Sequence, residues 1–133
     1  MTIEGAIHEL SLRAFCLRCH SDSTVEKQLY EIETIQNYIR GKMRKSEFWL
    51  GRLIDTDDAA KRSGVAETVL AKAREKHEEA HVLWEWWTAE NSDGFHNPEL
   101  TRETLATSIS ASKEGVTLLN KAMAGYPSID RKQ

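Results

Sequence analysis

Val25, Leu29, Ile32, Ile39, Met43, Leu50 and Leu53 fall on alternating spacings of four and three once Gln36 and Ser46 fill the gaps. This is a heptad-like stripe sustained over roughly four heptads, and only an α-helix brings such spacings onto one side. A helix from Thr24 to Leu53 is about 45 Å long at ~1.5 Å per residue. That exceeds the width of a compact domain of 133 residues. The helix is therefore expected to protrude or to pack against a partner subunit.

The rest of the chain carries the same periodicity. Ile3, Ala6, Ile7 and Leu10 predict a short helix from Thr2 to about Arg13. Ser23-Thr24-Val25-Glu26 has the form of a capping box and predicts where the long helix starts. Asp55-Thr56-Asp57-Asp58 predicts its end and a new N-terminus, with Gly64 as a second break. A third helix is expected to run to about Asn91, with Ala66, Val69, Ala73, Ala80, Leu83 and Trp87 in its stripe and Leu70, His77 and Trp84 alongside. Asn91-Ser92-Asp93-Gly94 reads as a turn. Asn97-Pro98-Glu99 is a helix start, with Asn as N-cap and Pro at the first helical position. The last helix carries Leu105, Ile109, Val116, Leu119 and Met123 and ends near Gly125, before Pro127. Only 2 prolines and 7 glycines interrupt the chain, and no strand pattern competes. The expected fold is all-α: a helical bundle with long antiparallel helices, forming one domain over 1–127 with a frayed tail over 128–133.

Composition removes several function classes. With 40% apolar and 29% charged residues, the balance is that of a folded domain. No run approaches the roughly 18 apolar residues a membrane span needs. A net charge of −3 gives no reason to expect a nucleic-acid partner.

Both cysteines sit in one pentapeptide, Cys16-Leu17-Arg18-Cys19-His20. C-x-x-C-H is the attachment pattern of c-type haem. Thiols at i and i+3 share a face of a helical turn and can add to two vinyl groups along one porphyrin edge, while His20 offers its imidazole to the iron. The chain is thus expected to hold one covalent haem c through Cys16, Cys19 and His20. Three other readings of the pair stand beside this one: half of a zinc site completed by His20 and His8, a redox pair, for which the surrounding βαβ pattern is missing, and two buried cysteines acting as small hydrophobes.

The other histidines are candidate metal ligands. His77 and His81 are one turn apart and share a face. Glu78-Glu79-Ala80-His81 fits the Glu-x-x-His motif of di-iron bundles, but no second such motif occurs. His77 and His81 read equally as polar contacts on a solvated face or as axial ligands. His96 precedes a helix start, and His8 lies on the first helix. Trp84 and Trp87 read as core, whereas Trp86 lies off the stripe and is free to cover a haem edge or an interface.

Three segments together carry a resemblance: Cys16-Leu17-Arg18-Cys19-His20, Ala80-His81-Val82-Leu83-Trp84-Glu85-Trp86, and Ala89-Glu90-Asn91-Ser92-Asp93-Gly94-Phe95-His96-Asn97-Pro98-Glu99. From about Cys16 to Met123 the chain resembles the C-terminal part of the ammonia-forming pentahaem cytochrome c nitrite reductases. The resemblance implies a multihaem-cytochrome-like C-terminal domain. It implies that Cys16, Cys19 and His20 match the last haem site, a bis-histidine electron-transfer haem, and that His96 matches the distal ligand of a different haem, attached just upstream. It also implies a homodimer through the long helices, and a redox protein or another haem-bearing chain as partner.

The departures are as informative. The family has five haems, whereas this chain has one attachment motif. The C-x-x-C-K of the catalytic haem is missing, and the catalytic Arg, Tyr and His of the larger domain have no counterparts. The expectation is an electron-transfer domain and not an enzyme by itself. A helical assembly domain without cofactor and a small metal-binding protein are the alternatives. The histidine that caps the family's last haem also comes from upstream, which leaves His96, His77, His81, His8 or a second subunit to supply the sixth ligand. Haem attachment in this family takes place outside the cytoplasmic membrane, so a periplasmic location is expected. Met1-Thr2-Ile3-Glu4-Gly5 shows no signal sequence, and a trimmed chain, a mature chain or an incomplete reading frame is the expectation that reconciles the two.

Overall fold

The computed structural model describes residues 11 and 13–125. The expected first helix over Thr2–Arg13 and the frayed tail fall almost wholly outside the described residues, as does His8. Three long helices follow a short helical stretch at 13–16: α1 (Asp22–Arg62), α2 (Glu67–Ala89) and α3 (Pro98–Met123). Among the described residues there is no strand. The architecture is an all-α helical bundle.

Helix α1 has 41 residues and is about 60 Å long. It runs straight through Asp55–Asp58, where the sequence predicts a break. Thr56 turns its buried side chain inward and donates its hydroxyl to Arg52 O at 2.6 Å. Asp58 pairs with Arg62 one turn on, and Asp57 lies 3.8 Å from Arg74 of α2. These residues carry no backbone penalty of the kind Gly or Pro would impose, so packing keeps them helical. The stop comes at Gly64, whose φ is +76°. The predicted capping box also does not form. The helix begins earlier, after Ser21, and Glu26 reaches out to Arg13 instead of back to the backbone. The start of α3 is as predicted: Asn97 Oδ1 accepts from Leu100 N at 3.2 Å and Pro98 opens the helix.

The core follows the stripes and fixes the topology. Leu53, Ala60, Leu70, Ala73, Val116 and Leu119 meet at one end. Leu50, Ala80 and Ala111 form the middle, and Ile39, Trp87 and Leu105 the other end. Rising numbers on α1 and α3 therefore match falling numbers on α2, an up-down-up arrangement. Close approach of α3 rests on small residues. Ser108 donates to Ala80 O at 2.7 Å and bonds Ser46 Oγ at 2.6 Å, so both buried hydroxyls are satisfied.

The stripe on α1 is consumed by the chain itself from Ile35 onward. Met43, expected to face a partner subunit or to protrude, packs with Ile35 and Trp84 against Ile39, Trp87 and Leu105. Below Ile35 the helix continues as an arm about 20 Å long, back to Asp22. The described contacts of this arm are with the turn that precedes it.

Candidate functional site

The Cys16–His20 segment folds as a single tight turn. Cys16 O accepts from Cys19 N at 3.2 Å and from His20 N at 3.0 Å, which brings both cysteines and the imidazole onto one turn of backbone. Arg13, one helical turn before Cys16, ties the turn to α1: its guanidinium lies 3.1 Å from Asp22 and 3.1 Å from Glu26. Both carboxylates hold the Arg13 pKa above its ordinary value, Glu26 foremost. Cys16 is half-buried, Cys19 is exposed, and both are free thiols.

A pocket of about 210 Å³ opens between this turn and the arm, lined by Cys16, His20, Val25, Gln28, Leu29 and Ile32 among others. Its walls are the lower half of the heptad stripe. Val25 is fully covered, while Leu29 and Ile32 are half-exposed. Small-molecule sites usually enclose about 300–1,000 Å³. At about 210 Å³ this cleft is smaller than that range and would enclose only part of such a ligand. The residues fit a covalently held haem: two free thiols and an imidazole rise from one turn beside an apolar wall. Among the described residues no three His, Cys, Asp or Glu side chains converge where a metal ion could sit. His8, which the zinc reading needs, lies outside the described residues.

The other described histidines lie far from this turn. The loop bearing His96 docks on Gln36 and Arg40: Gln36 Nε2 donates to Ser92 O at 3.1 Å, and Arg40 pairs with Asp93. Those contacts are about 24–30 Å further along α1 than His20. His77 shares a pocket with Leu53 and Asp57, about 50 Å along α1 from His20. His81 stacks on His77, with ring centroids 5.6 Å apart, and on Trp84 at 5.9 Å. At these separations along α1, a metal ion held by His20 would not also be held by His96, His77 or His81 of the same chain. Burial, and to a smaller extent the neighbouring His81, hold the His77 pKa below its ordinary value, with Asp57 opposing.

His96 nonetheless sits in a densely hydrogen-bonded polar cluster. Glu90, at the end of α2, accepts from Ser92 N, Ser92 Oγ and Gly94 N within 3.1 Å, and its Oε1 lies 3.1 Å from His96 Nδ1. These donors, Ser92 foremost, hold the Glu90 carboxyl below the usual carboxylate range. Asp93 (φ +51°) and Gly94 (φ +80°) give the loop its reversal. A Cβ on Gly94 would lie 2.9 Å from both Ile39 Cγ2 and Thr101 Cγ2. Sequence reasoning identified this turn and His96 but missed Glu90, Gln36 and Arg40. The signal for Glu90 was an acid placed directly before a turn that ends in histidine.

Trp86 is 71% exposed, in keeping with its place off the stripe, whereas Trp87 is buried and donates its indole N–H to Thr104.

A model of the cytochrome c552 family matches residues 8–132 of the chain. Cytochrome c nitrite reductase subunit NrfA from Nitratidesulfovibrio vulgaris (strain Hildenborough) is 28% identical over 117 residues, covering 80% of this chain and 21% of that protein. The chain thus spans about a fifth of the length of that relative.

Proposed function

This chain belongs to the cytochrome c552 family, and from that premise we propose that it is a c-type haem electron-transfer domain, with residues 1–127 acting as one unit. The observation that carries the reading is the Cys16–His20 turn, whose Cys16 carbonyl gathers Cys19 and His20 beside an apolar cleft. Cys16 and Cys19 would hold the group through thioether bonds and His20 would bind its iron. When bound, the haem supplies a one-electron couple at that iron.

The chain's own residues have three tasks. Arg13 braces the turn against α1 through Asp22 and Glu26. Val25, Leu29 and Ile32 exclude water from one edge of the cleft. The His96 loop presents a second imidazole, remote from the first, for an iron attached elsewhere. The sixth ligand for the His20 iron then comes from outside the described residues of this chain. An extracytoplasmic location, a homodimer through α1 and a redox partner bearing further haem belong to the same proposal. Nitrite reduction is not assigned to this chain, since no C-x-x-C-K occurs in it.

The test is an oxidised and reduced visible spectrum of the chain produced in an exporting, haem-competent host. A covalent c-type spectrum that Cys16→Ala and Cys19→Ala abolish supports the reading. His20→Ala is expected to retain covalent attachment and to alter the reduced spectrum, and an unchanged spectrum defeats His20 as a ligand. A colourless, dimeric product would favour an assembly domain instead.

A further inference from the structure

We propose that Glu90 is a positioning residue that fixes the tautomer of His96, so that the chain carries a ready-made single-imidazole ligand for an open-coordinate haem iron outside itself. The inference rests on the reading of His96 given above and adds the residue that makes that histidine competent.

Every described partner of Glu90 other than His96 is a donor: Ser92 N, Ser92 Oγ and Gly94 N. A carboxylate so surrounded only accepts. The atom it faces at 3.1 Å, His96 Nδ1, must therefore carry the ring proton. A neutral imidazole holds one proton, so Nε2 keeps its lone pair. The His96 side chain is 72% exposed with Nδ1 engaged, which leaves the Nε2 edge as its accessible part. A carboxylate behind a histidine in this manner both selects the tautomer and raises the basicity of the ligating nitrogen.

The loop is held as well as the ring. His96 N donates to Ser92 Oγ at 3.0 Å, Ser92 O accepts from Gln36, and Asp93 is clamped by Arg40. Gly94 fills a space too small for a side chain. A surface loop without a role needs none of these anchors on α1.

Glu90→Gln separates a positioning role from a merely structural one. Three donors crowd Oε2, namely Ser92 N, Ser92 Oγ and Gly94 N, so the carboxamide oxygen is drawn there. Its NH2 group then faces His96 Nδ1, which must turn acceptor and pass its proton to Nε2. Ser92→Ala removes two hydrogen bonds of the turn, Ser92 Oγ to Glu90 and His96 N to Ser92 Oγ, but leaves a carboxylate facing His96 Nδ1.

Long-range proton–nitrogen correlation NMR of the full chain reads the tautomer, at mildly alkaline pH where imidazoles are neutral. The wild type and Ser92→Ala should show Nδ1–H, and Glu90→Gln should show Nε2–H. In parallel, a haem peptide with one vacant axial position is titrated against each chain and followed by difference absorbance. Glu90→Gln should bind roughly 10–100-fold more weakly than wild type, and His96→Ala should lose the tight phase. An unchanged tautomer in Glu90→Gln, or the same tautomer change in Ser92→Ala, overturns the role of Glu90. Wild-type haem-peptide binding by His96→Ala, with the tautomer change intact, overturns instead the reading of His96 as a ligand.

Discussion

Replacing Gly94 with alanine tests whether the His96 loop is built onto the helices as described. Two costs add. Gly94 has φ +80°, in the left-handed region, where a Cβ costs about 1–2 kcal/mol. The new methyl would also lie 2.9 Å from Ile39 Cγ2 and from Thr101 Cγ2. Ile39 is 1% exposed and Thr101 0%, and both are β-branched and stiff at χ1, so neither can step aside. Overpacking of this kind costs about 1–3 kcal/mol, for a total of about 2–5 kcal/mol. For a chain of this size that is a fall in Tm of roughly 6–25 °C. Gly64 provides the internal control: its φ is +76°, but a Cβ there meets open space. Gly64→Ala should therefore cost only the backbone share, about 1–2 kcal/mol. Both variants are measured by urea denaturation followed by circular dichroism. If Gly94→Ala costs no more than Gly64→Ala, the loop does not pack between α1 and α3, and the anchoring of His96 falls with it.

Other outcomes follow from the core and the titrating groups. Leu53→Ala, at a site 1% exposed, should cost about 3–5 kcal/mol in the same assay. A Cβ on Gly115 would lie 2.7 Å from Leu53 Cδ1, so Gly115→Ala should destabilise the wild type yet stabilise the Leu53→Ala chain by up to ~1 kcal/mol, and equal effects in the two backgrounds would refute that contact. His77 has a pKa held below 6.5 by burial, so the unfolded chain takes up its proton first as pH falls. Stability is then full above pH 6.5 and drops as pH falls through the folded pKa; His77→Gln should flatten that slope in thermal melts. Tyr30 and Phe48 are exposed and lie on one line of α1, about five turns apart. If the proposed homodimer uses this face, Phe48→Glu should halve the sedimenting mass without lowering Tm.

Helical periodicity made most of the bundle legible in the sequence, because buried stripes at fixed spacings survive any tertiary arrangement. The errors came where a local preference met a distant partner. Asp55–Asp58 has the composition of a helix end, yet Thr56 is buried and Asp57 faces Arg74 across the bundle. Ser23 and Glu26 match a capping box, yet Glu26 finds a guanidinium thirteen residues earlier. Gly64 and Gly125, whose stop signals are their own backbones, needed no partner to be read. The same division runs through the site. Cys16, Cys19 and His20 announce themselves because their chemistry requires fixed local spacing. Glu90, Gln36 and Arg40 did not, because their roles exist only once α1, α2 and the loop are brought together.

The arm of α1 between the Cys16–His20 turn and Ile35 is unbroken helix, and an unbroken helix preserves phase as well as length. One residue inserted after Glu31 would advance the turn by only about 1.5 Å but swing it by about 100° around the axis. The thiols and the imidazole would then face another quarter of space while every contact in the bundle stayed intact. Seven inserted residues would restore the direction to within about 20°, at the expense of roughly 10 Å of added reach. Orientation at the tip and separation from the His96 loop are thus two independent settings of one rigid rod.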